Sequence, residues 1–413
     1  MIGLEYKNNS LYFDGTKVES IIENHQTPLY LYSENIIVSQ FTKFLNAATN
    51  QKINNPLVCF ALKANPNPAL VESLFKAGAG ADIVSLGELK RALENGCDPM
   101  KIVFSGVGKT QADINHALNS GPQGIYSFNV ESISELEMIN ELAGLKNKIA
   151  RIAFRVNPKV HAQTHKHIST GFKTHKFGIL KEDIFEFIKT SDQFKNIKIV
   201  GLSVHIGSQL TNLDATEKAI KEVCEIAQEI KTPLEFIDVG GGLGVDYVKD
   251  KSTPSADVYM SSVSKVLNEY SSKLNYTPRV VFEPGRFICA GAGIFLTKVI
   301  RTKKSEDCYF AIIDGGMNDF VRTSLYEAYH KIIPLKQNDN EEIKTEIVGP
   351  ICETADSFAT NYPIQKLKAG DYLAVLDVGA YGHSMASNYN LRSRPNELVI
   401  KADQSIKVFE YKL

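Results

Sequence analysis

Between residues 57 and 283, short apolar runs alternate with longer amphipathic stretches. The runs are rich in β-branched and aromatic residues and are bounded by turn residues, as buried strands are. They are Leu57–Leu62, Ala81–Val84, Lys101–Phe104, Gly124–Phe128, Ile149–Val156, Ile197–Ile206, Leu234–Val239 and Arg279–Phe282. Eight strand-then-helix units predict an α/β protein with a (β/α)8 TIM-type barrel. A doubly wound sheet is the alternative, but no switch point in strand order is obvious.

The stretches between the runs carry helix start and stop signals. Asn67-Pro68 opens one amphipathic stretch and Gly78 closes it. Ser85 and Glu88 have the spacing of a capping box, and Gly96 follows as a stop. These signals predict helices directly after the first two strands.

The two ends of the chain have a different pattern. After residue 287, shorter β-type runs return at Ile294–Ile300, Tyr309–Ile313, Ile343–Val348, Tyr372–Val378 and from Val399 onward. Near the N-terminus, Asp14-Gly15 predicts a hairpin turn after Leu11–Phe13. Because neither end could bury a core alone, we predict a barrel over 30–287 and one β-rich domain, sandwich- or barrel-like, from 1–29 and 288–413.

Composition narrows the classes of protein that fit. The chain has 413 residues with 46 Lys plus Arg and 47 Asp plus Glu. The resulting net charge of −1 does not favour a nucleic-acid partner. No apolar run approaches the ~20 residues that span a bilayer, and the first ten residues are too polar for a signal peptide. The six cysteines lie far apart without a C-x-x-C pair. We therefore expect a cytoplasmic protein with reduced cysteines and no membrane partner.

Chemically useful residues follow several of the predicted strands. Lys63 follows the first, His205 the sixth, Gly240–Gly242 the seventh, and Glu283 and Arg286 the eighth. Because the carboxyl ends of barrel strands share one rim, we expect these groups to converge there.

Each of these groups also has a simpler interpretation. A lysine that ends a strand is usually solvated, although the apolar neighbours of Lys63 predict a desolvated amine suited to a Schiff base. His205 alone is typical of a hydrogen-bonded core histidine. Gly240–Gly242 is either a tight turn or a set of N–H groups aimed at a phosphate. Val245 excludes the dinucleotide fingerprint G-x-G-x-x-G.

Two further motifs do not carry a site. Residues 106–110 resemble the end of a phosphate-binding P-loop, but its first glycine would fall at Val103. His161, His165 and His167 have no local carboxylate or cysteine to complete a metal site, so we expect a solvated loop and no metal.

The motifs of the chain, taken together, resemble those of the diaminopimelate decarboxylases, from about residue 25 to residue 400. The three motifs that follow residue 314 also separate the chain from the ornithine and arginine decarboxylases of the same fold. The motifs are FALKAN (60–65), GADIVSLGEL (80–89), HISTGFKTHKFGI (167–179), HIGSQ (205–209), VGGGLGVDY (239–247), EPGR (283–286), GGMNDFVRTSLYEAYH (315–330), GPICETADSFA (349–359) and GAYGHSMASNYNLRSRP (379–395).

The resemblance implies the alanine-racemase-like barrel and pyridoxal 5'-phosphate as cofactor. It implies that Lys63 holds the cofactor as a Schiff base, that His205 stacks on the pyridine ring, and that Glu283 partners the pyridine nitrogen. A carboxylate there favours the protonated ring and so deepens the electron sink for a carbanion. The further cofactor-binding positions implied are Ser208, Gly242, Pro284, Gly285, Arg286 and Tyr381.

The resemblance also implies how the substrate is held. Arg286, Arg322 and Tyr326 match positions that bind the distal carboxylate of diaminopimelate, and Tyr381 matches a tyrosine near both cofactor and substrate. Ornithine has no distal carboxylate and would leave Arg322 unpaired, at a cost of ~1–3 kcal/mol. From residue type alone, Arg322 would be interpreted as part of a surface salt bridge.

Cys352 and Glu353 resemble the pair that this family delivers from a neighbouring subunit. The resemblance nominates Cys352 as the acid that reprotonates the substrate carbon, and Glu353 as a partner for the distal ammonium. It thereby implies a homodimer with shared active sites. Without the flanking motif, Cys352 would be interpreted as a buried structural cysteine.

Four residues depart from the family pattern. Thr323 stands where proline is common, Phe60 and Leu62 replace Tyr and Val, and His383 replaces an aromatic residue. None removes a chemical group assigned above.

The resulting hypothesis is decarboxylation of meso-2,6-diaminopimelate to L-lysine and CO2, the last step of lysine biosynthesis. One alternative is a related decarboxylase acting on another basic amino acid or on a carboxylated polyamine. The other is a non-catalytic homologue, which would be expected to lose Lys63 or Cys352.

Overall fold

The computed structural model describes residues 2–160, 176–230, 232–248, 250 and 253–412. In its first part the predicted hairpin is confirmed, because Phe13 pairs with Thr16 and both turn residues, Asp14 and Gly15, have positive φ. The elements of this part are β1 (Leu4–Lys7), β2 (Ser10–Phe13), β3 (Thr16–Lys17), α1 (Val18–Ile22), β4 (Leu29–Ser33) and α2 (Glu34–Asn50).

Eight parallel strands then form a closed barrel, which confirms the predicted fold class and excludes the doubly wound sheet. Each strand pairs with its neighbour in sequence, and Val281 of the last strand pairs with Leu57 of the first to close the ring. The strands are β5 (Leu57–Ala61), β6 (Gly80–Ile83), β7 (Ile102–Phe104), β8 (Ser127–Val130), β9 (Ala150–Arg155), β10 (Ile197–Ser203), β11 (Phe236–Asp238) and β12 (Arg279–Phe282).

The barrel helices begin where the capping residues predict. The Asn67 side chain accepts from the N–H of Ala69, and the Ser85 hydroxyl accepts from the N–H of Glu88. The Glu88 carboxylate instead accepts from the N–H of Val84, so this capping box is not reciprocal. The helices are α3 (Pro68–Lys76), α4 (Leu86–Glu94), α5 (Gln111–Leu118), α6 (Ile133–Gly144), α7 (Lys181–Thr190), α8 (Asp214–Glu229) and α9 (Ala256–Ser271).

The rest of the chain is mostly antiparallel sheet. The long strand β13 pairs with β14, β18 and β4, and the stacked rings of Phe295, Phe320 and Phe358 form part of this core. The elements are α10 (Arg286–Cys289), β13 (Gly293–Ser305), β14 (Cys308–Ile313), α11 (Arg322–Tyr326), β15 (Ile332–Pro334), β16 (Glu342–Val348), β17 (Ser357–Gln365), β18 (Tyr372–Val375), β19 (Asn396–Ile400) and β20 (Ile406–Phe409).

The chain divides into two compact units. The barrel unit contains Phe41–Val245 and Ser252–Phe287; the second unit contains Met1–Gln40, Asp246–Lys251 and Ile288–Leu413. The predicted barrel boundary at residue 30 falls inside β4. All five residues of this strand are buried in the sheet of the second unit, between β13 and β19. A strand buried on both faces has the same apolar pattern in a barrel as in a central sheet position.

Candidate active site

A cavity of about 370 Å³ lies at the carboxyl ends of the barrel strands. It brings together three residues that the sequence singled out, namely Lys63, His205 and Glu283. The cavity is lined by Lys63, Val84, Ser105, Gly106, Val107, Asn129, Arg155, Lys176, Phe177, Ser203, Val204, His205 and Glu283.

Lys63 lies on the single turn that follows β5. Its Nζ is 2.6 Å from Oδ2 of Asp82, whose side chain is fully buried, whereas the Lys63 side chain is 38% exposed. The expectation of a desolvated amine is therefore wrong: a carboxylate pairs with the ammonium and stabilises its charge. The other oxygen of Asp82 is buried and has no hydrogen-bond partner among the described residues.

His205 presents a neutral imidazole to the cavity. Its Nδ1 lies 3.2 Å from the backbone nitrogen of Gly241 and accepts that N–H, so the ring proton is on Nε2. Burial lowers the pKa of His205 well below its usual range, and the positive charges of Arg155 and Lys63 lower it further. The ring is therefore suited to packing on a flat ligand rather than to carrying a charge.

Buried carboxyl and amide groups form the base of the cavity. Glu283 Oε1 accepts from Ser105 Oγ at 3.2 Å and from Asn129 Nδ2 at 3.3 Å, and the same amide donates to Asp238 at 3.2 Å. Burial, followed by the charges of Asp238 and Asp82, raises the pKa of Glu283 well above its usual range. Burial also raises the pKa of Asp238, to about 6. The raised pKa means that the Glu283 carboxyl is easier to protonate than a free glutamate side chain.

The glycine turn after β11 is more than a tight turn. The N–H of Gly240 donates to Asp238, and Gly240 and Gly242 both have positive φ. A Cβ on Gly242 would lie 2.3 Å from the carbonyl oxygen of Gly207, so this loop packs directly against the backbone that follows β10.

Ser208 and the EPGR segment lie next to this turn in the barrel unit. Ser208 Oγ accepts from Nη2 of Arg286 at 3.2 Å. The carbonyl of Pro284 accepts from the N–H of Ala61, and a Cβ on Gly285 would lie 2.9 Å from that of Ala64. The EPGR segment is thus packed against the turn that carries Lys63.

A buried ion pair forms another part of the cavity wall. Arg155 Nη1 lies 2.5 Å from Oε1 of Glu131, and the Glu131 carboxylate also accepts from the N–H groups of Gly106 and Gly178. This carboxylate therefore ties the loop after β7 to the segment after residue 176.

Arg322 is buried in the second unit, which excludes the interpretation as a surface salt bridge. It is 5% exposed at the start of α11. Its guanidinium lies over the rings of Tyr326 and Tyr247, at 5.7 and 6.0 Å from their centroids, and its Nε donates to Nε2 of His330 at 3.5 Å. The predicted pair Arg322 and Tyr326 is thus in contact.

Cys352 and Glu353 lie on an exposed loop after β16, so Cys352 is not a buried structural cysteine. The carboxylate of Glu353 accepts from the hydroxyl of Tyr389 at 2.7 Å. The buried carboxylate of Asp356 accepts from the N–H groups of Ile351 and Met317, and this fixes the base of the loop. The loop is thus exposed at its tip and anchored at its base.

Tyr381 and two of the departures from the family pattern, His383 and Thr323, lie in the second unit. Tyr381 has a left-handed backbone with φ of 56°, a conformation that strains a non-glycine residue. His383 is buried, with its Nε2 3.1 Å from the carbonyl of Pro395 and its ring edge-on to Tyr30. The hydroxyl of Thr323 is buried without a partner among the described residues.

Some expectations lie outside the described residues. They concern His161, His165 and His167 and most of the motif 167–179. Among the described residues, no group of three His, Cys, Asp or Glu side chains could hold a metal ion. Within the same ranges, no helix combines the length and apolar character needed to cross a membrane.

Sequence reasoning missed several groups in and beside the cavity. Asp82 and Asp238 are each the polar residue of an otherwise apolar barrel strand, and Asn129 lies near the end of β8. A polar residue near the end of a buried barrel strand was the available signal. His330 had no comparable signal.

Comparison with known proteins places these residues in a family. The family model for the pyridoxal-binding domain of pyridoxal-dependent decarboxylases matches residues 36–290. A diaminopimelate decarboxylase of Haemophilus influenzae is 42% identical over 406 residues, which cover 97% of this chain and 94% of the relative.

Solved structures are similar over the same length. A diaminopimelate decarboxylase of M. jannaschii in complex with L-lysine has a TM-score of 0.94 and 36% identity, and covers 100% of this chain and 96% of its own. The Helicobacter pylori diaminopimelate decarboxylase complexed with L-lysine has a TM-score of 0.89 and 37% identity, covering 96% and 97%.

Proposed function

The chain belongs to the diaminopimelate decarboxylases, a family of pyridoxal-dependent decarboxylases, and from this we propose which of its residues perform each part of the reaction. The enzyme converts meso-2,6-diaminopimelate to L-lysine and CO2, the last step of lysine biosynthesis. The observation that carries the assignment of roles is that one cavity contains Lys63, His205 and Glu283.

The barrel residues fit pyridoxal 5'-phosphate. The Lys63 amine suits its aldehyde, and the Glu283 carboxyl suits its pyridine nitrogen. Gly242, whose Cβ would meet Gly207, forms part of a cradle with room only for backbone. Ser208 and Arg286, which are in contact, supply donors for its phosphate. Pro284 and Gly285 complete the proposed barrel set, and Tyr381 is proposed as a further cofactor-binding residue.

The bound cofactor supplies an electron sink for the carbanion that remains when CO2 leaves. The Glu283 carboxyl would partner the ring nitrogen and favour its protonated form, which strengthens that sink. Neutral His205 would pack on the ring without adding a positive charge. Asp82, whose Oδ2 lies 2.6 Å from Lys63 Nζ, would hold the amine in place for the cofactor.

A second group of residues is proposed to bind the distal end of the substrate. Arg322 and Tyr326 bind the distal carboxylate, with Arg286 and Tyr381 as further substrate-binding residues. Glu353 binds the distal ammonium and Cys352 donates the proton to the substrate carbon. The exposure of Cys352 and Glu353 supports their action in the site of a partner subunit, and hence a homodimer.

The free state of the cysteines supports the proposal of a cytoplasmic location. All six are free, including the exposed Cys308 and Cys352, which suits a reducing compartment.

The test of the function is lysine release by the purified protein with added pyridoxal 5'-phosphate. Meso-diaminopimelate, L-arginine and L-ornithine are offered side by side. Turnover of meso-diaminopimelate alone supports both the reaction and the carboxylate clamp. Turnover only of arginine or ornithine would instead favour the related basic amino-acid decarboxylases.

Arg322→Ala tests the clamp itself. Loss of a charge-assisted contact to the distal carboxylate should lower kcat/KM for meso-diaminopimelate roughly 10- to 100-fold. Arg322→Lys is the matched control, because it keeps the charge but not the bidentate geometry. Its kcat/KM should lie between those of the wild type and Arg322→Ala. Unchanged kcat/KM in Arg322→Ala would contradict the assignment.

A further inference from the structure

The orientation of Arg322 is set by buried neighbours. His330, only 2% exposed, accepts the Nε–H of Arg322 on its Nε2 at 3.5 Å. A buried guanidinium needs partners for its donors, and each partner restricts the plane in which the group can lie. His330 is therefore one of the groups that decide where the guanidinium points.

A second contact determines which nitrogen of His330 carries the proton. Its Nδ1 lies 2.9 Å from the carbonyl oxygen of Leu376, and a carbonyl can only accept. The proton is therefore on Nδ1, and Nε2 presents its lone pair to Arg322.

Two aromatic rings hold the imidazole in this position. The ring of Phe320 meets it edge-on with centroids 4.8 Å apart, and the ring of Tyr247 lies at the same distance on a tilted plane. Tyr247 also lies under the guanidinium of Arg322. His330 cannot rotate without displacing these rings, so its acceptor stays aligned with Arg322.

A neutral acceptor has a particular consequence for a guanidinium that binds an anion. A carboxylate in the place of His330 would orient Arg322 but would also neutralise its charge and compete with an incoming carboxylate. An imidazole in the Nδ1–H form fixes the orientation and contributes no negative charge.

We propose that His330 is a positioning residue that determines specificity, by holding Arg322 in the orientation that binds the distal carboxylate of the substrate. This inference rests on the proposed role of Arg322. It predicts that His330 discriminates between ligands with and without that carboxylate.

Two variants separate the two contacts of His330. His330→Gln places an amide oxygen where Nε2 was, and so keeps an acceptor for Arg322 while losing the donor to Leu376. His330→Asn keeps a donor near the position of Nδ1 but does not reach Arg322. Both remove the buried ring, so each controls for the packing loss of the other.

The readout is the affinity of the cofactor-loaded enzyme for L-lysine and for cadaverine, measured by isothermal titration calorimetry. Cadaverine is the lysine chain without its carboxylate, so the ratio of the two dissociation constants isolates carboxylate recognition. The ratio is taken on one preparation, and partial unfolding of a variant affects both ligands equally.

We expect the wild type to prefer L-lysine, His330→Gln to keep this ratio within about threefold, and His330→Asn to lower it roughly tenfold. An unchanged ratio in His330→Asn, an equal loss in both variants, or no wild-type preference would each overturn the inference. Failure of the proposed function is distinguishable, because it would appear as absent lysine release from meso-diaminopimelate by the wild type.

Discussion

The exposed thiol of Cys352 is the group whose proposed role depends most on its individual chemistry. Buried cysteines such as Cys59 have a pKa well above the usual range because burial disfavours the thiolate, which makes them inert. Cys352 instead lies on an exposed loop beside Glu353, whose carboxylate is held by Tyr389. A thiol in such a position is free to reach a substrate carbon.

Cys352→Ala should therefore lower kcat for meso-diaminopimelate by about 10²- to 10⁴-fold and leave KM nearly unchanged, because proton donation is removed and binding is not. Steady-state lysine release measures both constants. Cys308→Ala, which removes the other exposed cysteine, should behave as wild type. A Cys352→Ala enzyme with wild-type kcat would exclude the thiol as the proton donor.

At the scale of elements, the turn after β11 and the loops beside it pack backbone against backbone. A Cβ on Gly241 would lie 2.1 Å from the backbone carbonyl oxygen of Glu283. That oxygen cannot move away without also displacing the side-chain carboxyl of Glu283. Glycine is required here by close approach, not by turn geometry alone.

Gly241→Ala should therefore lower both stability and cofactor affinity. We expect about 1–3 kcal/mol less free energy of unfolding of the apoenzyme in urea, with weaker binding of pyridoxal 5'-phosphate in a titration. Gly108→Ala is the matched control, because nothing lies within 4 Å of its Cβ position. Wild-type unfolding and cofactor binding in Gly241→Ala would show that the loops have room to separate.

The carboxyl of Glu88, in the first turn of α4, should make the free energy of unfolding depend on pH. Burial raises the pKa of Glu88 to about 7, against roughly 4.3 in an unfolded chain. The folded state thus favours the protonated carboxyl. This contribution is fully present below about pH 4 and is lost as pH rises through 7.

In Glu88→Gln this part of the pH dependence should disappear. The free energy of unfolding of the apoenzyme, measured in urea from pH 5 to 8, should fall less steeply than in the wild type. Glu94→Gln, at an exposed position of the same helix, controls for removal of a charge. Parallel curves for wild type and Glu88→Gln would contradict the raised pKa.

At the scale of the whole molecule, the proposed homodimer can be tested by complementation. If Cys352 acts in the partner's site, Lys63→Ala and Cys352→Ala destroy different halves of each site. A heterodimer of the two has one site with both residues intact. Random assortment makes half of all dimers heterodimers with one working site, so about a quarter of wild-type activity should return.

Co-expressed, differently tagged variants allow the heterodimer to be purified and its lysine release measured. Lys63→Ala combined with the double variant Lys63→Ala/Cys352→Ala should recover nothing. A purified heterodimer of the two single variants without activity would show that each site is built within one subunit.

The local signals of the sequence were enough for the barrel. The eight apolar runs are strands because strand burial depends on the nature of each short segment, and Asn67 and Ser85 cap helices through bonds to residues two or three positions away. The boundary predicted at residue 30 instead cuts through β4, because a doubly buried strand does not specify which sheet covers it.

The sequence by itself therefore determined the barrel and the family, since these follow from local pattern and recognisable motifs. The tertiary structure alone decided that Asp82 pairs with Lys63, that burial and the charge of Asp238 raise the pKa of Glu283, and that His330 accepts a hydrogen bond from Arg322. Ion pairs, shared protons and tautomers depend on distances of a few ångströms between atoms, and only the packed fold sets those distances.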